Sequence, residues 1–186
     1  NEGGREASTD VALLFGYLKN ADKNEFVVQK AVELGVKKIV AFSSAYSSAY
    51  MNENKLERLN RVSRESAKQC LRSVAPAVEY YPDLESALRS AAGYRHKLFA
   101  CEFAQTSEAD VSALSGSTAL VVGSEGGFSR GEAELARALG YAPVTLGKRI
   151  LRAETAAVAL TSVVMFALGE LGLDGGREAS KEEKDR

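Results

Sequence analysis

Thr118-Ala119-Leu120-Val121-Val122-Gly123-Ser124-Glu125-Gly126-Gly127-Phe128-Ser129-Arg130-Gly131-Glu132 holds an apolar run, a glycine-rich turn and a helix start in one stretch. Residues 118–123 read as a buried strand. Ser129 and Glu132 stand three apart, the spacing of a capping box, so a helix begins there and Gly140 ends it. A buried strand that runs through glycines into a capped helix is a junction of an α/β domain. Gly123, Gly126 and Gly127 allow close approach of backbone to a ligand; equally, they suit a tight turn with positive φ. No Gly-Lys-Ser/Thr follows, so the stretch is not a P-loop, and it lacks the GxGxxG spacing of dinucleotide-binding folds.

Strands and helices alternate on both sides of this junction. Towards the N-terminus, strands are predicted at 11–18, 37–42, 78–81 and 97–101, and helices over 54–72 and 84–91. A first helix follows Asp22, read as N-cap with Glu25 at N3, and stops at Gly35. Residues 43–52 are rich in Ser and Tyr and aperiodic, so a mobile loop is expected. Towards the C-terminus, a short strand at 143–146 leads through Leu146-Gly147-Lys148-Arg149-Ile150-Leu151-Arg152 into a long apolar helix at 153–171. The exposed backbone of that second turn can recognise an adenine edge, while Ile150 and Leu151 can plug the core. The expected class is therefore α/β with a mostly parallel sheet. Ligands in such sheets sit at the carboxyl ends of the strands, after Val122 and after Thr145.

Composition is that of an ordinary globular domain: 186 residues, 45% hydrophobic and 26% charged. No apolar run approaches the roughly 20 residues needed to cross a bilayer. Cys70 and Cys101 have no metal-site spacing and read as reduced thiols of a cytoplasmic protein. The net charge of −1 argues against autonomous nucleic-acid binding by bulk charge, but permits a local basic face. Arg58, Arg61, Lys68 and Arg72 recur at near-helical offsets along one side of the 54–72 helix, either as a solvated face or as an RNA contact. His96, the single histidine, precedes an apolar strand and reads as structural. The last helix is apolar nearly all round, which places it in the core or at a homodimer interface. Residues 1–10 read as a linker remnant, 11–172 as the domain, and 173–186 as a disordered charged tail.

Four segments in order carry a resemblance. They are Lys23-Asn24-Glu25-Phe26-Val27-Val28-Gln29-Lys30-Ala31-Val32-Glu33-Leu34-Gly35-Val36, Gln69-Cys70-Leu71-Arg72, Gly123–Phe128, and Leu146–Ala156. Together they resemble the ribosomal small-subunit uracil-N3 methyltransferase E family of the SPOUT superfamily. The resemblance covers roughly residues 14–168. Ser124 replaces the family's loop proline, Leu59 stands where tryptophan is usual, and the family's N-terminal PUA-like RNA-binding domain has no counterpart here.

The resemblance implies a SPOUT α/β domain with a C-terminal deep trefoil knot, a homodimer, and methyl transfer from S-adenosyl-L-methionine to N3 of a uridine in bacterial 16S ribosomal RNA. The partner is then small-subunit ribosomal RNA or the assembled small subunit. By position, Val122, Gly123, Glu125, Gly126 and Gly127 form one wall of the cofactor site. Leu146, Gly147, Ile150, Leu151, Thr155 and Ala156 form the other. Uracil N3 is a weak nucleophile until deprotonated, so a nearby arginine suits its anionic form. Arg72 and Arg152 are the candidates, with Gln69 and Glu154 as orienting partners; no general base is identified. A SPOUT methyltransferase of transfer RNA and a non-catalytic binding module are the alternatives.

Overall fold

The computed structural model describes residues 5–104 and 106–173. Six parallel strands form one sheet: β1 (Val11–Gly16), β2 (Lys38–Phe42), β3 (Val78–Tyr81), β4 (His96–Ala100), β5 (Thr118–Val122) and β6 (Ala142–Val144). Their spatial order is β3-β2-β1-β5-β4-β6. Four helices connect strands, α1 (Ala21–Glu33), α2 (Glu53–Gln69), α3 (Leu84–Ser90) and α4 (Arg130–Ala138); a 3-10 turn at Val111–Ala113 lies between β4 and β5, and α5 (Ala153–Ala167) follows β6. The sheet is covered on both faces, as parallel sheets require. Leu13, Phe15, Ile39, Leu120 and Val122 face a core built with α1, α2 and α5. The alternate residues Ala12, Leu14, Val40, Phe42 and Val121 face a second core built with α3 and α4. Pro143 sits in the edge strand β6, where its missing donor does least harm.

The chain moves outward from β1 through β2 to β3, then returns to the other side for β4 and β5. Strand order therefore reverses between β1 and β5. At that point the backbones nearly touch. A Cβ on Gly16 would lie 2.4 Å from the Ser124 amide nitrogen and 2.9 Å from the Gly123 carbonyl carbon. Only glycine permits this approach of β1 to the turn after β5.

Several boundaries differ from the sequence expectations for local reasons. Asn20, not Asp22, caps α1, its side chain accepting from the Asp22 amide at 2.8 Å. The expected box with Glu25 is not formed; Glu25 pairs instead with Arg58 of α2. The α4 capping box on Ser129 and Glu132 is present. Helix α5 ends at Ala167, four residues early, because Gly169 (φ 78°) starts a Schellman turn with Gly169 N–H on Phe166 O and Glu170 N–H on Met165 O. Residues 5–10 are fastened to the domain rather than linker-like. Ala7 is buried, Ser8 and Thr9 both donate to Glu170, and Glu6 meets Arg72. The loop at 43–52 has no regular structure, but its first half is tied down, as described below. Most of the expected disordered tail lies outside the described residues.

The end of α2 carries the largest departure. Leu71 adopts φ 63°, and a Schellman turn closes with Leu71 N–H on Lys68 O and Arg72 N–H on Ala67 O. The reversal drives Arg72 inward, leaving its side chain 3% exposed. Its guanidinium donates to Val32 O and Val36 O, both at 2.9 Å, and to Glu6 Oε2 at 2.9 and 3.1 Å. Glu6 accepts in addition from the Ser73 and Val74 amides. Burial alone would raise the Glu6 carboxyl; the Arg72 hydrogen bond and charge and these two amides outweigh it and hold it below the usual carboxylate range. Arg72 is thus a brace joining the N-terminal segment, the end of α1 and the end of α2.

The brace sets three expected outcomes. Arg72→Met should cost about 3 kcal/mol in urea unfolding at neutral pH, because carbonyls and a carboxylate lose a buried donor. The depressed Glu6 carboxyl stabilises the fold above its unfolded pKa and stops doing so as pH falls through the lower folded value. The gap between wild type and the Met variant should therefore narrow as pH falls through the ordinary glutamate value of about 4.3 and below, and the part owed to the Val32 and Val36 carbonyls should remain. Leu71→Gly should stabilise by about 1 kcal/mol, since it removes the penalty of a side chain in the left-handed region. A destabilised glycine variant would show that the Leu71 side chain, though 60% exposed, makes a contact worth more than the strain.

Candidate cofactor cleft

The carboxyl ends of β4, β5 and β6 open into one cleft of about 730 Å³. Its size and its mix of apolar wall and charged groups suit a small-molecule site. Val122, Gly123, Glu125 and Gly127 line one side, and Leu146, Gly147, Ile150, Leu151 and Ala156 line the other. Gly126 and Thr155 do not line it. Gly126 is turned towards the 43–52 loop, where a Cβ would lie 2.6 Å from Tyr46 Cβ, and Thr155 is exposed on α5.

The glycine turn after β5 is held from three directions. Glu125 Oε1 accepts from the Lys19 amide at 2.9 Å, tying the turn to the β1–α1 junction. Glu102, after β4, lies against Gly127, where a Cβ would be 2.6 Å from its Oε1. From the third side, Ser44 Oγ is 3.4 Å from Ser124 Oγ, and the Ala45 amide donates to Glu132 Oε1 at 2.8 Å. Phe128 then enters the core edge-on to Phe99, with ring centroids 6.0 Å apart, and anchors the far end.

The polar floor of the cleft lies at the start of α5. Arg152 is the helix N-cap residue, exposed and without a side-chain capping bond. Glu154, in the first turn, pairs through Oε1 with Lys23 Nζ of α1 at 3.1 Å, with side-chain exposures of 14% and 31%. Its other oxygen, Oε2, is buried and has no hydrogen-bond partner among the described residues. Burial would raise this carboxyl; its own backbone amide, Lys23 and Arg152 outweigh that, and it stays below the usual carboxylate range. Lys148 and Arg149 are exposed on the rim.

Of the four residues expected to act on substrate, Arg152 and Glu154 meet in this cleft. Gln69 lines a separate groove between α1 and α2, with Asp22, Glu25 and Glu65. The structure places Arg72 away from the cleft, its guanidinium making four hydrogen bonds to internal acceptors. Arg58 of the basic stripe is paired with Glu25, leaving Arg61 and Lys68 exposed. His96 opens β4 at the opposite end of the sheet, its Nε2 3.0 Å from Ser115 O. Lys23, Cys101 and Glu102 also line the cleft, and sequence reasoning does not place them there. Lys23 opens the first family-like segment, which is the available signal; Glu102 follows β4 with no pattern to mark it.

Among the described residues, no group of side chains could hold a metal ion, and no helix is long and apolar enough to cross a membrane. Both cysteines are free.

The family model for an RNA methyltransferase domain matches residues 5–165. Ribosomal RNA small subunit methyltransferase E of Mesomycoplasma hyopneumoniae (strain 232) is 35% identical over 162 residues, covering 86% of this chain and 70% of that protein. A methyltransferase from Legionella pneumophila, solved in complex with the bound cofactor SAM, superposes with a TM-score of 0.80 at 30% identity, over 90% of this chain and 70% of the other. Ribosomal RNA small subunit methyltransferase E from Neisseria gonorrhoeae, solved bound to S-adenosyl methionine, gives 0.80 at 27% identity over 92% and 72%. With the two glycine turns meeting in one cleft and these likenesses spanning nearly the whole described fold, the chain belongs to the ribosomal RNA small subunit methyltransferase E family of RNA methyltransferase domains.

Proposed function

We propose that this chain transfers a methyl group from S-adenosylmethionine to N3 of a uridine in small-subunit ribosomal RNA, in the cytoplasm and as a homodimer. The observation that carries the reading is the single cleft formed where both glycine turns meet over the carboxyl ends of β4, β5 and β6. The orphaned Glu154 Oε2 supports it, because a buried acceptor in an otherwise satisfied wall fits a ligand that brings donors. The 148–151 backbone, which lies outside any helix or strand, and apolar Leu146 and Leu151 suit an adenine.

When bound, S-adenosylmethionine supplies an electrophilic methyl group on a sulfonium, so the protein's task is alignment and charge stabilisation. Val122, Leu146 and Leu151 exclude water along the wall. Arg152, at the start of α5, carries a permanent positive charge and would hold the charge that develops on the carbonyl oxygens of a deprotonated uracil. Glu154, in the first turn of α5 two residues after Arg152, would help orient it by its negative charge. Gln69 can act on this cleft only across a subunit interface, because its own groove is separate.

Helix α5 supports the dimer. It buries Ala157, Leu160, Val164 and Met165 against the sheet, yet Val163 and Phe166 are 46% and 63% exposed, with half-buried Ala159 and Ala167 near them along the helix. The chain's return from edge strand β6 to α5, packed on α1, β1 and β5, supports a knotted C-terminal part of the SPOUT kind. For the RNA, exposed Arg61 and Lys68 sit on α2, which packs on α1, the helix that carries Lys23. With the basic rim residues of the cleft they supply local positive charge despite the net charge of −1.

Two measurements test the reading. Calorimetry with S-adenosylhomocysteine should show micromolar binding, and Gly147→Trp, which puts a large side chain in the cleft wall, should weaken it by at least about tenfold. With small ribosomal subunits the chain should then incorporate labelled methyl at uracil N3; methyl incorporation only into transfer RNA, or none despite cofactor binding, would overturn the assignment. Arg61→Glu with Lys68→Glu should weaken RNA binding and lower the salt slope by about 0.7 for each phosphate no longer neutralised. An unchanged slope would return both residues to an ordinary solvated surface.

A further inference from the structure

Glu154 poses a physical problem that the cofactor reading alone leaves open. A carboxylate at the start of a helix can satisfy its oxygens with amides, water or a cation; here one oxygen takes Lys23 and the other is shut away from water with nothing to accept from. An unmet charged acceptor costs more than an unmet neutral one, so a donor belongs in front of Oε2 in the working protein. Lys23 has the matching surplus. Its ammonium carries three donors, and Glu154 is its one ion-pair partner among the described residues.

The two side chains line the same cleft 3.1 Å apart and present a fixed cation next to a fixed anion. That is the mirror of an amino-acid zwitterion. We propose that Lys23 and Glu154 read the amino-acid end of the cofactor, Glu154 Oε2 accepting from its α-ammonium group and Lys23 Nζ donating to its α-carboxylate. The inference rests on the cleft being a S-adenosylmethionine site. The other carboxylates of the cleft are less suited to the task. Glu125 is committed to the Lys19 amide, and Glu102 is exposed and lies against Gly127 after β4. A base donor such as an imide N–H would satisfy Oε2 as well, but would leave the free donors of Lys23 without a partner of opposite charge.

The test compares two probes that share adenosine and the thioether sulfur but differ in the amino-acid end, S-adenosylhomocysteine and 5′-methylthioadenosine. Both are titrated calorimetrically into the full chain, its Glu154→Gln and Lys23→Met variants, with thermal unfolding recorded for each. Wild type should bind S-adenosylhomocysteine more tightly than 5′-methylthioadenosine. Glu154→Gln keeps the shape but turns the acceptor face partly into a donor; it should weaken S-adenosylhomocysteine by about tenfold, or about 1.4 kcal/mol, and leave 5′-methylthioadenosine unchanged. Lys23→Met should change the pair in the same direction. Equal weakening of both probes, or no change in either, would overturn the inference while leaving the cofactor site standing. Wild-type protein that binds neither probe would overturn the cofactor reading and this one with it.

Discussion

The near-contact of β1 with the turn after β5 is the constraint on which the site depends. Hydrogen bonding sets Phe15 beside Val122, and one residue later the chain must either part or touch. Because residue 16 is glycine, it touches, and the Ser124 amide sits where any side chain would be. The two strands on either side of the topological switch therefore stay together at their carboxyl ends, and the loops that leave them diverge only there. Lys19, just past β1, can then reach Glu125, and α1 brings Lys23 to Glu154. One missing methyl group thus sets where the turn after β5 lies against β1.

Much of this is legible in the sequence because the relevant signals are local. Alternating apolar runs locate the strands to within a few residues, with β3 at 78–81 as expected, and the Ser129–Glu132 spacing marks the start of α4. The two glycine turns stand out because they interrupt strong periodic patterns. What is not legible depends on long-range partners. The local spacing points to Asp22 as the cap of α1; the cap is Asn20 because Asn24 is buried, holding Leu18 through both its amide and carbonyl, which fixes where the helix begins. In sequence, Arg72 has the look of a reactive arginine at the end of a basic stripe. Its fate is set by Glu6, 66 positions away, and by a left-handed turn at a leucine, a residue that gives no warning of one.

The division of labour between charged residues follows the same rule. Arg72, Glu6 and Arg58 are consumed in holding helices and the entering segment in place, whereas Arg152, Lys148 and Arg149 remain at the rim. Charge counted along the chain does not distinguish these groups; their ion-pair partners do. Glu154 belongs to both, since one of its oxygens pairs with Lys23 while the other is buried without a partner among the described residues.

The capping box of α4 does more than mark a helix start. Glu132 uses Oε2 for the Ser129 amide and Oε1 for the Ala45 amide, which lies 87 residues earlier. A feature that usually forms early and locally is here completed by a distant segment, so the first turn of α4 cannot reach its final stability until the 43–47 segment has docked. Loop closure over that separation makes this a late event in folding. It also makes opening of that segment cooperative with fraying of the helix, which would appear in hydrogen exchange as matched protection of the Ala45 and Ser129 amides.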